Sequence, residues 1–370
     1  MKQVFLYGTL RHLGLLEIVL GHVPHDRLSA VSLDGYCVAR AEGHDFPLIL
    51  EQSGSSCDGL LLSEVTPAEQ ARLDYYELGF GYRLLPVEIA GQEALVYFPE
   101  PDLWQAAEPW SLKEWSALHW PVTQHSAREI MGLMGQVAPH ELGRYFGRIR
   151  ARAYSTFLAQ SNPSPATLRA AHSIESVTLH GGRLSHIGYF RTDTLRLSHP
   201  RYDGRQSDEM EREVFLTGDA ALVLPYDPVR DRVLIIEQFR MGPLGRGDPL
   251  PWTLEPIAGR VDLGETPEEA ARRECVEEAG LILGQLEPVA SYYPSPGEVS
   301  TYFHTFIGLC DLPDSVAGMG GLESEAEDIK SHVLSFDAAE ALMKTGEINI
   351  GPLLHLLLWL KIERERLRAG

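Results

Sequence analysis

The chain has 370 residues, of which 44% are hydrophobic and 23% charged, a composition that excludes a disordered chain. At about 150 residues per domain, the length predicts two or three domains. Lys and Arg number 32 against 52 Asp and Glu, and a formal charge of −20 argues against general nucleic-acid binding.

Four cysteines (Cys37, Cys57, Cys275, Cys310) are scattered with no C-x-x-C pair, which predicts reduced thiols rather than zinc ligands or disulfides. The opening MKQVFLYGTLRHLG lacks a long apolar core, and the apolar run at 353–360 is too short to span a bilayer. A soluble cytoplasmic protein with no membrane partner is expected.

In chain order, QVFLYG, PLILEQ, DGLLLSEV, YRLLPVEI and EALVYFP are strand candidates bounded by Gly or Pro. TPAEQARLDYYE opens on a Thr-Pro cap signal and predicts a helix. Residues 1–102 are expected to form an α+β domain. Residues 103–165 change character: Trp104, Trp110, Trp115 and Trp120 cluster there, and a helical pattern follows from Thr123, broken at Pro139. Leu142, Tyr145, Phe146, Ile149 and Ala153 make one apolar stripe, with Arg144, Arg148, Arg150 and Arg152 on or near the other face. That basic stretch is read as a solvated face or a dock for the acidic remainder, and the whole segment as a helical connector ending in the linker SNPSP.

Residues 166–370 predict an α/β domain. Its strand candidates are SVTLHGG, RLSHIGYFRTDTLRLS, AALVLPYD, RVLIIEQFR, LEPIAG, LEPVASYY and YFHTFIGLC, with helices from Pro267 and from about Phe336. The first of these helices is the most informative element of the chain. Thr266 is a good N-cap, Pro267 suits the first helical position, Glu269 completes a capping box, and Gly280 can end the helix in a left-handed conformation. Glu274 and Glu278, four apart, share a face, although like charges at that spacing cost an isolated helix roughly 0.2–0.5 kcal/mol. Carboxylates gathered against that cost suit hard cations that prefer oxygen ligands.

The full spacing, Gly259, Glu265, Arg273, Glu274, Cys275, Glu277, Glu278, Gly280 and Leu281, resembles the signature of the Nudix hydrolases. Cys275 stands where a bulkier apolar residue is usual. The region before the helix and the run YYPSPG after it are similar to the ADP-ribose pyrophosphatase subfamily, although Thr301 occupies a position where an acid is common. The resemblance implies an α/β/α Nudix sandwich that hydrolyses ADP-ribose to AMP and ribose 5-phosphate with Mg²⁺, or with Mn²⁺. It implies Glu274, Glu278, Glu327 and the Ala258 carbonyl as metal ligands and Glu325 as general base, with Glu325 and Glu327 interchangeable and Glu278 counted among the catalytic groups. Arg273 is expected to orient Glu265 or Glu277. Substrate contacts are expected from Tyr189, Arg212, Glu213, Arg240, Arg260, Ser295 and Gly297; Tyr189 is read either as an adenine platform or as an ordinary strand aromatic. The subfamily implies a homodimer through this domain, with Tyr189, Arg212 and Glu213 in a site shared between subunits. Another nucleoside diphosphate sugar or dinucleotide, or a sensor that binds ADP-ribose without turnover, are the alternatives.

In the first domain, Tyr7, Gly8, Thr9 and Leu10 follow the first strand, Leu73-Asp74-Tyr75-Tyr76-Glu77 ends the first predicted helix, and Tyr82-Arg83 opens the next strand. In this order they resemble the γ-glutamylcyclotransferase-like family, which implies a barrel domain whose strand-end loop and glutamate line one cavity. Glu77 would then handle protons while an α-amine attacks its own γ-carbonyl to form 5-oxoproline. The usual glycine directly after the glutamate is Leu78, with Gly79 one later. A domain that binds a metabolite, or only packs, is the other reading. The order of the two domains also resembles bacterial fusion proteins associated with tellurite resistance.

Overall fold

A computed structural model of the chain describes residues 2–169, 172–321 and 328–369. Two compact units, Met1–Ala170 and Ala171–Gly370, divide it.

The first unit contains β1 (Val4–Leu6), α1 (Leu13–Leu20), β2 (Leu28–Ala41), β3 (Pro47–Leu62), α2 (Pro67–Leu78), β4 (Tyr82–Ile89), β5 (Gln92–Pro99) and β6 (Ala106–Pro109). Helices α3 (Leu112–Leu118), α4 (Trp120–Gly132) and α5 (Leu142–Ser161) follow. The strands form one sheet in the order β4-β5-β1-β3-β2-β6. Strands β2 and β4 touch although three strands separate them, so the sheet curls into a half-barrel. Phe5, Tyr7, Leu33, Ile49 and Val96 fill its concave core.

Two details differ from the sequence reading. PLILEQ and DGLLLSEV are the two ends of the single long strand β3, whose polar middle is exposed beside β2. The helices expected as a connector belong to the first unit, because α4 packs on α1 and α5 on α4. Leu142 and Ile149 of the predicted stripe are fully buried there.

The second unit opens with the three-stranded sheet β7 (Thr178–Ile187), β8 (Arg191–Ser198) and β9 (Met210–Leu216). RLSHIGYFRTDTLRLS is thus part of a hairpin that turns at Gly188, whose N–H donates to the Phe190 carbonyl at 2.8 Å. The main sheet runs β14-β15-β10-β11-β17-β16. Its members are β10 (Ala220–Asp227), β11 (Arg232–Phe239), β14 (Leu286–Tyr292), β15 (Phe303–Leu309), β16 (Met319–Gly320) and β17 (Ile329–Ser335). Two short strands, β12 (Trp252–Glu255) and β13 (Ile257–Arg260), pair with β11 and β10. Pro256 separates them, so LEPIAG is not one strand. Between β11 and β12 lies α6 (Met241–Arg246); α7 (Pro267–Ala279), α8 (Phe336–Thr345) and α9 (Gly351–Ala369) complete the unit.

Helices cover the sheet on both faces. Leu224, Tyr226 and Val233 pack against Phe336, Leu353, Leu356 and Leu360 of α8 and α9. The apolar run at 353–360 is therefore core. No described helix is long and apolar enough to cross a membrane. Side chains alternate along a strand, so the other parity of β10 faces α7. Cys275, fully buried there, packs as a small hydrophobe. All four cysteines are free thiols.

Candidate active sites

In the second unit, α7 begins as its sequence dictates. The Thr266 hydroxyl accepts from the Glu269 N–H, and the Glu269 carboxylate accepts from the Thr266 N–H at 2.8 Å. Gly280 ends the helix at φ +62°. Those fixed ends aim Glu274 and Glu278 at the backbone of β13. Glu278 is only 2% exposed and accepts a long contact from the Ala258 N–H, 3.4 Å to Oε2. Glu274 lies over Gly259 so closely that a Cβ there would fall 1.7 Å from its Oε1. Glycine at 259 is thus a packing requirement: the carboxylate occupies the side-chain volume.

Arg273 organises the surrounding acids. Its Nε and Nη2 donate to Glu265 at 2.9 and 3.0 Å, and its Nη1 donates to Glu274 at 2.6 Å and Glu277 at 3.0 Å. Nη2 also donates to the Arg260 carbonyl at 2.9 Å. One guanidinium therefore ties the loop before α7, the helix and β13 together, and Glu265 and Glu274 raise its already high pKa further.

The other expected contacts divide. The Arg260 guanidinium stands 5.0 Å from the ring centre of Tyr189, which is 56% exposed at the β7–β8 turn. Arg212 and Glu213 lie further back on β9, opposite Leu195 and Thr194; Arg212 donates to the Glu211 carbonyl, and Glu213 accepts from Thr194 at 3.5 Å. Arg240 is held as a fork on Glu255 at 2.7–3.1 Å, with Thr253 donating to the same carboxylate. Ser295 donates to Glu298 at 2.8 Å, in the exposed loop that contains Gly297. Thr301, at the position where an acid is common in the subfamily it resembles, is hydrogen-bonded to the Thr217 hydroxyl. Glu325 and Glu327 lie outside the described residues.

Among the described residues no group of three acids, histidines or cysteines is arranged to hold a metal. The donor set nonetheless fits a hard divalent cation: two carboxylates converge on one stretch of backbone that only glycine leaves open.

In the first unit, a cavity of about 530 Å³ opens at the end of β1. Tyr7, Gly8, Thr9 and Leu10 form one wall and Glu77 another, so the two sequence motifs meet. Gly8 is also a close approach, since a Cβ would fall 2.6 Å from Pro47 Cγ. The acid before Glu77 has a structural task. Asp74 accepts from Tyr97 at 2.6 Å and from Gln70 at 2.8 Å, which fastens α2 to β5. Burial pushes Glu77 up to about 7. The Tyr82 hydroxyl donates to the Pro47 carbonyl, and its pKa is raised by burial and by Glu77. Gly79 is needed one residue later than usual because the Pro139 carbonyl lies 2.6 Å from its would-be Cβ. Leu78, by contrast, is exposed.

Sequence reasoning missed Asp45 and Arg150 here. Arg150 donates to Asp45 at 3.1 and 2.8 Å, and both line the cavity. They are 105 residues apart, so no local pattern marks them. Arg152, read with the solvated face, is buried on Glu129 at 3.1 and 3.2 Å.

An acid-bearing helix clasped to strand backbone inside an α/β/α sandwich is the architecture of a Nudix hydrolase. Residues 216–357 match the family model described as NUDIX domain, and residues 4–117 match that described as Gamma-glutamyl cyclotransferase, AIG2-like. The ADP-ribose pyrophosphatase of Escherichia coli strain K12 is 39% identical over 181 residues, 49% of this chain and 86% of that protein. The ADP-ribose pyrophosphatase of Haemophilus influenzae is 35% identical over 200 residues, 54% of this chain and 92% of that one. A GDP-mannose pyrophosphatase of Escherichia coli is 32% identical over 188 residues, 51% of this chain and 96% of that protein. The chain belongs to the Nudix family, with a γ-glutamylcyclotransferase-like domain at its amino-terminal end.

Proposed function

We propose that the second unit hydrolyses ADP-ribose to AMP and ribose 5-phosphate with Mg²⁺. The observation that carries this is the convergence of Glu274 and Glu278 on the backbone of Ala258 and Gly259. Glu274, Glu278 and the Ala258 carbonyl would hold the ion, joined by Glu327. When bound, a divalent cation neutralises the two pyrophosphate charges and polarises a phosphoryl oxygen. The oxygen of water attacks one phosphorus and the bridging P–O bond breaks. The bridging oxygen leaves with the other phosphate, and Glu325 takes the proton of the water, a role open to Glu327 as well. Tyr189 and Arg260 offer a flat cationic-aromatic surface for the adenine end. Arg240 is committed to Glu255, which weakens the substrate contact expected of it. The choice of ADP-ribose over GDP-mannose rests on higher identity to the proteins named for the former. A panel of nucleoside diphosphate sugars, assayed with Mg²⁺ and with chelator, tests it: AMP and ribose 5-phosphate are expected only with metal.

The same reading includes a homodimer through this unit. Leu179, Tyr189 and Phe190, all exposed on the β7–β8 hairpin, support it. Sedimentation at micromolar concentration tests this, and a monomer would overturn it.

For the first unit, the proposal is a γ-glutamyl cyclotransferase. A carboxyl that titrates near 7 in a cavity can both accept and return a proton at neutral pH. The substrate α-amine forms a C–N bond to its own γ-carbonyl carbon, the bond to the leaving amine breaks, and Glu77 carries the proton from one nitrogen to the other. Release of 5-oxoproline from γ-glutamyl compounds tests it; release of none would leave a ligand-binding module.

A further inference from the structure

The cyclotransferase-like match ends at residue 117, yet the cavity does not. Helices α4 and α5, both beyond that point, contribute Ile130 and then Gly143, Phe146, Gly147 and Arg150. These last four are spaced i, i+3, i+4 and i+7, so they form one face of α5 turned into the cavity. A Cβ on Gly147 would meet nothing within 4 Å. Gly147 is itself exposed, so the space in front of it is the open side of the cavity, where it meets solvent.

The walls around that space are largely aromatic. Phe146 packs on Phe80 with ring centres 4.7 Å apart, and Trp115 and Trp104 also line the cavity. Against this apolar lining stands one cation. Arg150 has five N–H donors, and Asp45 takes one from each terminal nitrogen. Three N–H bonds have no protein acceptor among the described residues. The Arg150 guanidinium also sits 5.5 Å from the Phe146 ring centre, so the charge and the apolar wall are adjacent.

We propose that α4 and α5 give the first unit its selectivity, with Phe146 and the space over Gly147 receiving a large apolar side chain and Arg150 holding a carboxylate next to it. The ligand class is a γ-glutamyl derivative of a large apolar amino acid. This rests on the cyclotransferase reading for the glutamyl end, placed between the loop at 7–10 and Glu77. The departing amino acid lies on the α5 side.

The test uses the full chain and three compounds: γ-glutamyl-phenylalanine, γ-glutamyl-glycine and the γ-glutamyl amide of phenethylamine, which lacks the carboxylate. Both 5-oxoproline release and calorimetric binding are read. The phenylalanine derivative is expected to exceed each of the others by about tenfold or more in kcat/KM, the scale of one apolar or charged contact. Gly147→Leu, which suits a helix better than glycine, is expected to collapse the phenylalanine-to-glycine ratio. Arg150→Met is expected to collapse the ratio of phenylalanine derivative to amide. Ratios within one variant cancel any general loss of folded protein. If turnover is seen but the glycine derivative matches the phenylalanine derivative, the selectivity proposal falls and cyclotransfer stands. If no compound is turned over but the binding preference holds, cyclotransfer falls and the selectivity stands. Binding of none overturns the selectivity.

Discussion

Glu274 and Gly259 share one volume. The carboxylate of the first fills the place where a side chain on the second would be, 1.7 Å from the ideal Cβ. Gly259→Ala must therefore displace Glu274 or bend β13. Pyrophosphate hydrolysis is expected to fall by about 100-fold or more, because misplacing a group by an ångström costs on that scale. Circular dichroism should be unchanged, and a variant of near-normal kcat would end the assignment of Glu274.

Glu278→Gln removes one charge from the same site while keeping its shape. Loss of turnover by orders of magnitude is expected, since the charge is there to hold a cation. The readout that separates this from unfolding is Mg²⁺ titration: the variant should need much more metal for half-activity, with its melting temperature little changed. Equal metal dependence would count against the ligand role.

Glu77 sets a pH dependence in the first unit. Burial raises its folded pKa to about 7 from an ordinary value of 4.5. Between those values the folded state binds more protons than the unfolded state, so this group's contribution to stability falls as pH rises through that window. Glu77→Gln is expected to flatten the loss of stability between pH 5 and 8 and to abolish 5-oxoproline release. Parallel denaturation curves for variant and parent across that range would contradict the raised pKa.

Arg152 and Glu129 form a buried pair, with side chains 9% and 12% exposed. Arg152→Met leaves a buried carboxylate without its guanidinium and is expected to cost about 3 kcal/mol. Chemical denaturation followed by tryptophan fluorescence checks this, since Trp104, Trp110, Trp115 and Trp120 all lie in the affected unit. A cost under ~0.5 kcal/mol, the range of surface changes, would refute it.

Local chemistry made the acid-bearing helix legible from sequence. A capping box, a terminating glycine and an i, i+4 pair of acids are all written within two dozen residues. The same holds for α2, whose Thr66 and Glu69 repeat the capping device. Strand β2 was not foreseen. Its pattern is broken at Gly35, which lies at φ +83° where the pairing with β3 shifts register. Arg150 and Arg152 could not be told from solvent-facing charges, because their partners Asp45 and Glu129 come from distant segments. Helix α9 was seen only as an apolar run too short for a membrane; its role as a core layer depends on a sheet assembled from sequence far upstream.

The pairing of β16 with β17 sets how closely the edge of the sheet approaches α7. Gly320 sits against the last turn of α7, where a Cβ would fall 2.0 Å from the Glu278 carbonyl, and it pairs directly with Ile329. A side chain at 320 would therefore wedge the edge of the sheet away from the helix that bears Glu274 and Glu278.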